Sequence, residues 1–181
     1  VAAILFRLMD ADSRSLYYST ASGFRDVDST KWYNTYVATL NNAGVITDSR
    51  TGYFRPNDAI TRAELAAMLA QFAEKKSAAI YFSDVSAGYW AANAIALTAN
   101  LGWINGYGST YAPDKYITRA ETAAILFRLM DDASRKTYYS TKSGFRDVAT
   151  GSWYNTYVAT LNNAGVITDS SNGCFRPNEA I

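Results

Sequence analysis

Apolar side chains recur at helical spacing in two kinds of segment. In the first, Trp32, Tyr36, Val37, Leu40 and Ala43 fall on one face of a helix running from Trp32 to Gly44. Asp28 or Ser29 stands where it can cap the start, and Gly44 suits the left-handed position after the last turn. The segments Trp90 to Gly102 and Trp153 to Gly165 read the same way. The second kind opens at Thr61-Arg62-Ala63-Glu64, a Thr-x-x-Glu capping box in which the Thr61 hydroxyl accepts from the Glu64 amide and the Glu64 carboxylate returns to the Thr61 amide. Leu65, Met68, Leu69 and Phe72 continue it as an apolar stripe. Thr118 and Glu121 open the corresponding helix further on, carried forward by Ala124, Ile125, Phe127, Arg128 and Leu129. No stretch reads as a sustained strand. The pattern predicts an all-α protein of helix–loop–helix units, each too small to bury its own apolar faces without a neighbour.

Those units repeat. Residues 1–60 match residues 122–181 at a constant offset of 121, with 46 of 60 positions identical, and a divergent version lies between them. Phe-x-Asp-Val occurs at Phe24–Val27, Phe82–Val85 and Phe145–Val148. Trp32, Trp90 and Trp153 follow, then Gly44, Gly102 and Gly165, then Pro56, Pro113 and Pro177. Ile-Thr-Arg-Ala-Glu closes the series at Ile60–Glu64 and Ile117–Glu121. The expected organisation is the tail of one repeat (1–23), two whole repeats (24–81 and 82–144) and the head of another (145–181). The linkers alternate in length, and the longer type carries Tyr17-Tyr18-Ser19-Thr20 or Tyr138-Tyr139-Ser140-Thr141.

Composition removes several kinds of chemistry. The chain has 181 residues, no histidine and one cysteine, Cys174. Histidine-based triads and ligands are therefore absent, as are an intrachain disulfide and a Cys-rich zinc site. Seventeen basic against sixteen acidic residues leave a net charge of +1, which argues against a nucleic-acid surface built on net charge. No apolar run is long enough to span a membrane. Asp10–Asp12 and Asp131–Asp132 are too short and irregular for a calcium loop and read as solvated turns. Cys174, in the place of Tyr53, reads as incidental. No cofactor and no metal is expected.

The ordered set of Phe-x-Asp-Val, Trp, Ala-x-x-Gly-x-Ile, a loop ending in Pro and Ile-Thr-Arg-Ala-Glu, repeated over nearly the whole chain, resembles the S-layer homology (SLH) domain. The resemblance implies a pseudo-threefold assembly of helices at the bacterial cell surface. It further implies non-covalent anchoring of surface proteins to the cell wall. The ligand would be a secondary cell-wall polysaccharide, often one bearing pyruvate ketals, held in grooves between repeats.

Several residues are candidates for holding such a ligand. Arg62 and Arg119 occupy the first helical position, where the helix dipole disfavours a cation, and unpaired amides are expected at the same end. Each is either an anion-binding fork or an intramolecular ion pair, for example with an Asp of a neighbouring Phe-x-Asp-Val. Trp32, Trp90 and Trp153 can stack on sugar, but their place at the head of an amphipathic helix favours core packing. Asp26, Asp84 and Asp147 read as caps or structural hydrogen-bond acceptors. The middle repeat alone carries Asn105-Gly106-Tyr107-Gly108-Ser109, close to the family's Gly-Tyr-Gly loop, and Gly106, Tyr107 and Gly108 with a Thr-Arg-Ala-Glu arginine form the groove favoured for binding. Residues 46–52 and 167–173 depart from that loop, which weighs against binding there. A structural role, packing with other copies of the chain into a lattice or filament, is the competing reading. Catalysis is disfavoured, because each recurring carboxylate has a capping role open to it.

Overall fold

The structure, a computed structural model, describes residues 1–47, 52–74, 78–79, 81–168 and 172–181. Among these the chain forms eight helices: α1 (Ala2–Leu8), α2 (Ala11–Leu16), α3 (Asn34–Asn42), α4 (Arg62–Ala70), α5 (Ala92–Asn100), α6 (Arg119–Leu129), α7 (Asp132–Tyr138) and α8 (Asn155–Asn163). Extended pairing among the described residues is confined to isolated bridges, Thr61 with Tyr116, Tyr107 with Thr110 and Thr118 with Ala180. The all-α expectation holds.

The chain divides into two compact units, residues 1–58 with 67–74, and residues 59–66 with 75–181. In the first, α1 packs on α3, with the Phe6 and Tyr36 rings 5.0 Å apart and Leu5, Val37 and Leu40 fully buried. In the second, α6 and α7 pack on α8, with the Phe127 and Tyr157 rings again 5.0 Å apart. Ile95, Ile104, Tyr111, Ile117 and Leu161 are at most 2% exposed there. Each such burial contributes about 1.5–3 kcal/mol, which is how helices this short persist.

The helix ends follow from the sequence. Gly44, Gly102 and Gly165 all adopt positive φ, near +70°. After α3 the Gly44 amide donates to Asn41 and the Val45 amide to Leu40, and the same pair of bonds closes α5 and α8. These are Schellman ends, where a side chain would be strained. The helix starts differ from expectation. α3 begins at Asn34 rather than Trp32, and its N-cap, Tyr33, makes no side-chain capping bond. Asp28 accepts instead from the amide and hydroxyl of Thr30, closing a local turn.

The acidic residues read as solvated turns are helix caps. Asp10 accepts from the Ser13 amide and Asp131 from the Ser134 amide, each at 2.8 Å, so the longer linkers fold into α2 and α7. The rest of each longer linker is laced to a helix by three side chains. On α8, Asn155 donates to Thr141, Thr160 exchanges bonds with the Ser140 backbone, and Asn163 donates to Tyr138. On α3, Asn34, Thr39 and Asn42 do the same for Thr20, Ser19 and Tyr17. α5 follows the shorter linker and carries Ala92 and Leu97 at the first two places. Linker length and the polar stripe on the following helix therefore vary together.

Within the second unit, the isoleucines before each Thr-Arg-Ala-Glu position form a closed ring of backbone hydrogen bonds. Ile60 donates to Ile181, Ile181 to Ile117, and Ile117 to Ile60, at 2.9–3.1 Å. The ring is cyclic, with each equivalent residue both donor and acceptor.

Candidate functional site

The ring sets the entry to α4 and α6. At α4 the capping box is complete: Thr61 and Glu64 exchange side-chain-to-amide bonds of 2.7 and 3.1 Å. The next two amides are also occupied, Arg62 donating to the Lys115 carbonyl and Ala63 to the Pro113 carbonyl, both at 2.9 Å. At α6, Arg119 donates to Glu179, Ala120 to Pro177, and Glu121 to the Thr118 hydroxyl. The expected outward-pointing amides are therefore taken. A loop from the following repeat delivers its carbonyls to each helix end, and no open amide cradle remains at these positions.

What the loop brings beside α4 is a site for an arginine. Arg62 is 4% exposed. Its Nε donates to the Tyr111 carbonyl at 2.9 Å and its Nη2 to the Asn105 carbonyl at 2.7 Å. Its guanidinium carbon lies 4.5 Å from the Tyr111 ring centre and 4.8 Å from that of Tyr107. The Tyr111 hydroxyl returns to the Arg62 carbonyl at 2.9 Å. Stacking against two rings with donors aimed at carbonyls is an arrangement that the planar fork of Arg fits and a Lys does not. Burial pushes the Tyr111 phenol up, so it stays neutral and keeps donating.

The remaining face of Arg62 meets Glu121, Nη1 to Oε1 at 3.6 Å. The ion-pair reading is the one realised for Arg62, but through the capping glutamate of the next helix rather than a Phe-x-Asp-Val aspartate. Glu121 divides its oxygens: Oε2 accepts from the Thr118 amide, while Oε1 faces Arg62, the Tyr107 hydroxyl and Lys115. Burial works to raise this carboxyl, but the Tyr107 and Thr118 hydrogen bonds and the two cations outweigh it and hold it below its usual value. Lys115 donates to the Tyr107 hydroxyl at 2.8 Å and lies 3.4 Å from Glu121. The Tyr107 hydrogen bond and the Glu121 charge, working against burial, raise its ammonium. The network has a buried half, Arg62 and Glu121, and an open half. Lys115 keeps 50% of its side chain exposed and Tyr107 is 47% exposed.

The carboxylate of each Phe-x-Asp-Val grips the loop rather than a helix. Asp84 accepts from the Tyr111 and Ala112 amides at 2.8 and 2.7 Å, Asp26 from Phe54 and Arg55, and Asp147 from Phe175 and Arg176. The second residue of each pair, Ala112, Arg55 or Arg176, has φ of +56° to +58°. That conformation costs roughly 1–2 kcal/mol per residue, and two charge-assisted hydrogen bonds offset it. Burial works to raise Asp84, but its two amide bonds, with Arg62 nearby, hold it below its ordinary value.

Gly106 and Gly108 have different reasons to be glycine. A Cβ on Gly106 would come within 2.4 Å of both the Phe82 ring and the Thr110 carbonyl. Its bare face is thus filled by the protein's own core. Gly108 has φ of +68° with open space beside it, in the tight turn where Tyr107 donates to Thr110 at 2.7 Å.

The other candidates stand apart from this network. Arg119 donates through Nε to the Phe175 carbonyl at 2.6 Å and lies over the Phe175 ring at 4.9 Å. Burial and the nearby Arg176 charge lower its pKa. Core packing is overturned for the tryptophans: Trp32 is 76% exposed, Trp90 64% and Trp153 61%. Each sits in the turn before its helix, so helical periodicity placed it on the wrong surface. Trp32 and Trp153 meet neighbouring tyrosine rings edge-on. Cys174 is half-buried, its sulfur 3.9 Å from Arg146. Residues 48–51 and 169–171, within the two divergent loops, lie outside the described residues. Tyr111, Lys115 and the second role of Glu121 were not legible beforehand. The one available signal was that the middle loop alone pairs Tyr with Tyr across Tyr107-x-x-x-Tyr111.

Comparison with known proteins places the repeated motifs in a family. The family model described as S-layer homology domain matches residues 23–66, 81–123 and 144–181. A cellulosome-anchoring protein of Acetivibrio thermocellus is 32% identical over 138 residues, covering 72% of this chain and 31% of the relative. A surface-layer 125 kDa protein of Lysinibacillus sphaericus is 36% identical over 137 residues, covering 74% of this chain and 11% of the relative. An S-layer protein of Bacillus thuringiensis subsp. finitimus is 26% identical across all of this chain, which spans 22% of it. The chain thus corresponds to under a third of the length of each of these proteins. With its motif residues building the helix entries and loop clamps described above, the chain belongs to the S-layer homology domain family.

Proposed function

We propose that this chain is the wall-binding part of a bacterial cell-surface protein. In this reading it anchors that protein by holding a secondary cell-wall polysaccharide, one bearing a carboxylate such as a pyruvate ketal, against the Tyr107–Lys115 rim. The observation that carries the reading is the division of the Arg62 network into a rigid buried half and an open cationic, aromatic half. Lys115 offers a charge to a carboxylate and Tyr107 offers a ring face to a sugar. Arg62 is a positioning residue: it braces the rings and the Asn105 and Tyr111 carbonyls while Glu121 neutralises it. Trp90, on the same unit, is exposed for stacking.

No catalytic step is assigned to the chain. The recurring carboxylates Asp26, Asp84, Asp147, Glu64 and Glu121 are engaged in loop clamps and helix caps. An exoglucanase of Acetivibrio thermocellus also matches, but this chain spans 11% of it.

The test is co-sedimentation with purified sacculi of the source bacterium, before and after chemical removal of the secondary polymer. Pelleting that disappears on removal supports the reading. A folded protein that fails to pellet with intact sacculi contradicts it. Assembly of the chain without wall polymer would favour the lattice role instead.

A further inference from the structure

We infer that Arg128, in the last turn of α6, is a positioning residue for the Tyr107–Lys115 rim and acts on it through Asn105. The inference rests on the reading of that rim as the polymer site. Asn105 is exposed and stands two residues before Tyr107. Its main-chain carbonyl already accepts from Arg62. Its side-chain amide, assigned from the hydrogen-bond network, has one orientation that satisfies both ends. The nitrogen then donates to the Ile104 carbonyl at 2.9 Å, and the oxygen accepts from Arg128 Nη2 at 3.2 Å. Arginines from two helices thus pin the loop, one by its backbone and one by its side chain, each through a charge-assisted bond. Arg128 is itself half-buried, with its guanidinium carbon 5.8 Å from the centre of the Tyr157 ring on α8. α6 also holds Tyr107 directly, through Glu121 in its first turn. Glu121 and Arg128 lie two helical turns apart, about 10 Å. One helix therefore fixes the stretch from Asn105 to Tyr107 at two separated points, and the rim is ordered before any ligand arrives.

The first repeat supplies the contrast. At the place of Asn105 it carries Thr47, and the last copy carries Thr168. At the place of Arg128 it carries Gln71, just past α4, whose amide turns back to the Ala67 carbonyl of its own helix at 3.4 Å. The donor fork and the side-chain carbonyl that receives it occur together in the middle repeat, which is also the repeat that carries Gly106-Tyr107-Gly108. A role in packing α6 on α8 would account for Arg128 over Tyr157 but not for its bond to Asn105.

The experiment reads the loop first without ligand, by amide hydrogen exchange followed by NMR in Arg128→Met, Asn105→Ala and the double variant. Met keeps an unbranched stem beside Tyr157 and removes the fork. The Tyr107 amide, which donates to Thr110, exchanges about tenfold faster in each single variant, the size of one hydrogen bond to a charged group. It exchanges no faster in the double variant, because the two side chains share one bond. The Val158 amide in α8 keeps its rate. Calorimetric affinity for the purified wall polymer falls about threefold to tenfold in the single variants, again with no further loss in the double. Unchanged Tyr107 exchange in Arg128→Met, effects that add in the double variant, or an unchanged affinity in Arg128→Met would each overturn the inference. So would Val158 exchange that quickens as much as that of Tyr107, since Arg128 would then be a packing residue only. If the unaltered chain bound no polymer, the reading of the rim would fail, while the exchange rates would still decide whether Arg128 positions Tyr107.

Discussion

Arg62 and Arg119 hold the same place in the same four-residue motif, yet one is locked and the other lightly held. Arg62 has two tyrosine rings, two carbonyls and a carboxylate around it. For Arg119, the described residues provide the Phe175 ring and the Phe175 carbonyl. The motif starts the helix in both cases. What surrounds the arginine is delivered by the loop of the next repeat, and where one loop has Tyr111 the other has Phe175, which has no hydroxyl to return to the arginine backbone. A repeat motif thus encodes the scaffold, and the neighbouring loop encodes the site.

Removing each arginine should separate the two most widely. Arg62→Ala empties a buried site, leaves the Tyr111 and Asn105 carbonyls without their donor and takes one of two cations from Glu121, and is expected to cost about 3 kcal/mol in urea unfolding. Arg119→Ala removes one carbonyl bond and a ring contact and should cost about 1 kcal/mol. Equal losses would mean that the surroundings of Arg62 add nothing. The middle loop can be broken next. Gly106→Ala forces Phe82 or the Thr110 backbone aside and should cost about 2 kcal/mol or more. Gly108→Ala meets open space and pays only for its positive φ, about 1 kcal/mol. Thermal unfolding of the two variants side by side checks the order.

The pH response is smaller for each group. Asp26, Asp84, Asp147 and Glu121 all have carboxyls held below their ordinary values in the folded state. A lowered folded pKa contributes stability that is complete above the unfolded value, near 3.8 for Asp and 4.5 for Glu, and is lost as pH falls through the folded value. Urea midpoints should therefore be level near neutrality and fall below about pH 4. Asp84→Asn should flatten that fall. A midpoint that rises on acidification would contradict the clamps. The smallest effect belongs to the exposed tryptophans: Trp90→Ala should change stability by less than about 0.5 kcal/mol. A larger loss would return Trp90 to the core.

How much of this was legible depended on range. The capping boxes at Thr61 and Thr118 and the glycine ends at Gly44, Gly102 and Gly165 are governed by residues three to five apart, and each formed as read. Asp10 and Asp131 obeyed an equally local rule, but a neighbouring acid disguised a cap as a charge cluster. The tryptophans fitted a helical period that extended beyond the helix itself. Gly106, Tyr107 and an arginine of the motif were identified as belonging together, and the structure brings Tyr107 onto Arg62. The pairing of Arg62 with Glu121 joins two motif copies across the chain, and no local pattern specifies it. Nor does local pattern reveal that loop carbonyls fill the helix ends, since those bonds depend on where the following repeat docks.

The most direct measurement is calorimetric binding of the purified wall polymer to Lys115→Ala and Tyr107→Phe, with Arg119→Ala alongside. Both rim variants leave Arg62 stacked and should fold. The account predicts that Lys115→Ala weakens binding about tenfold, with a smaller loss for Tyr107→Phe, and that Arg119→Ala binds nearly as the unaltered chain does. Unchanged affinity in both rim variants, with binding lost in Arg119→Ala, would contradict it.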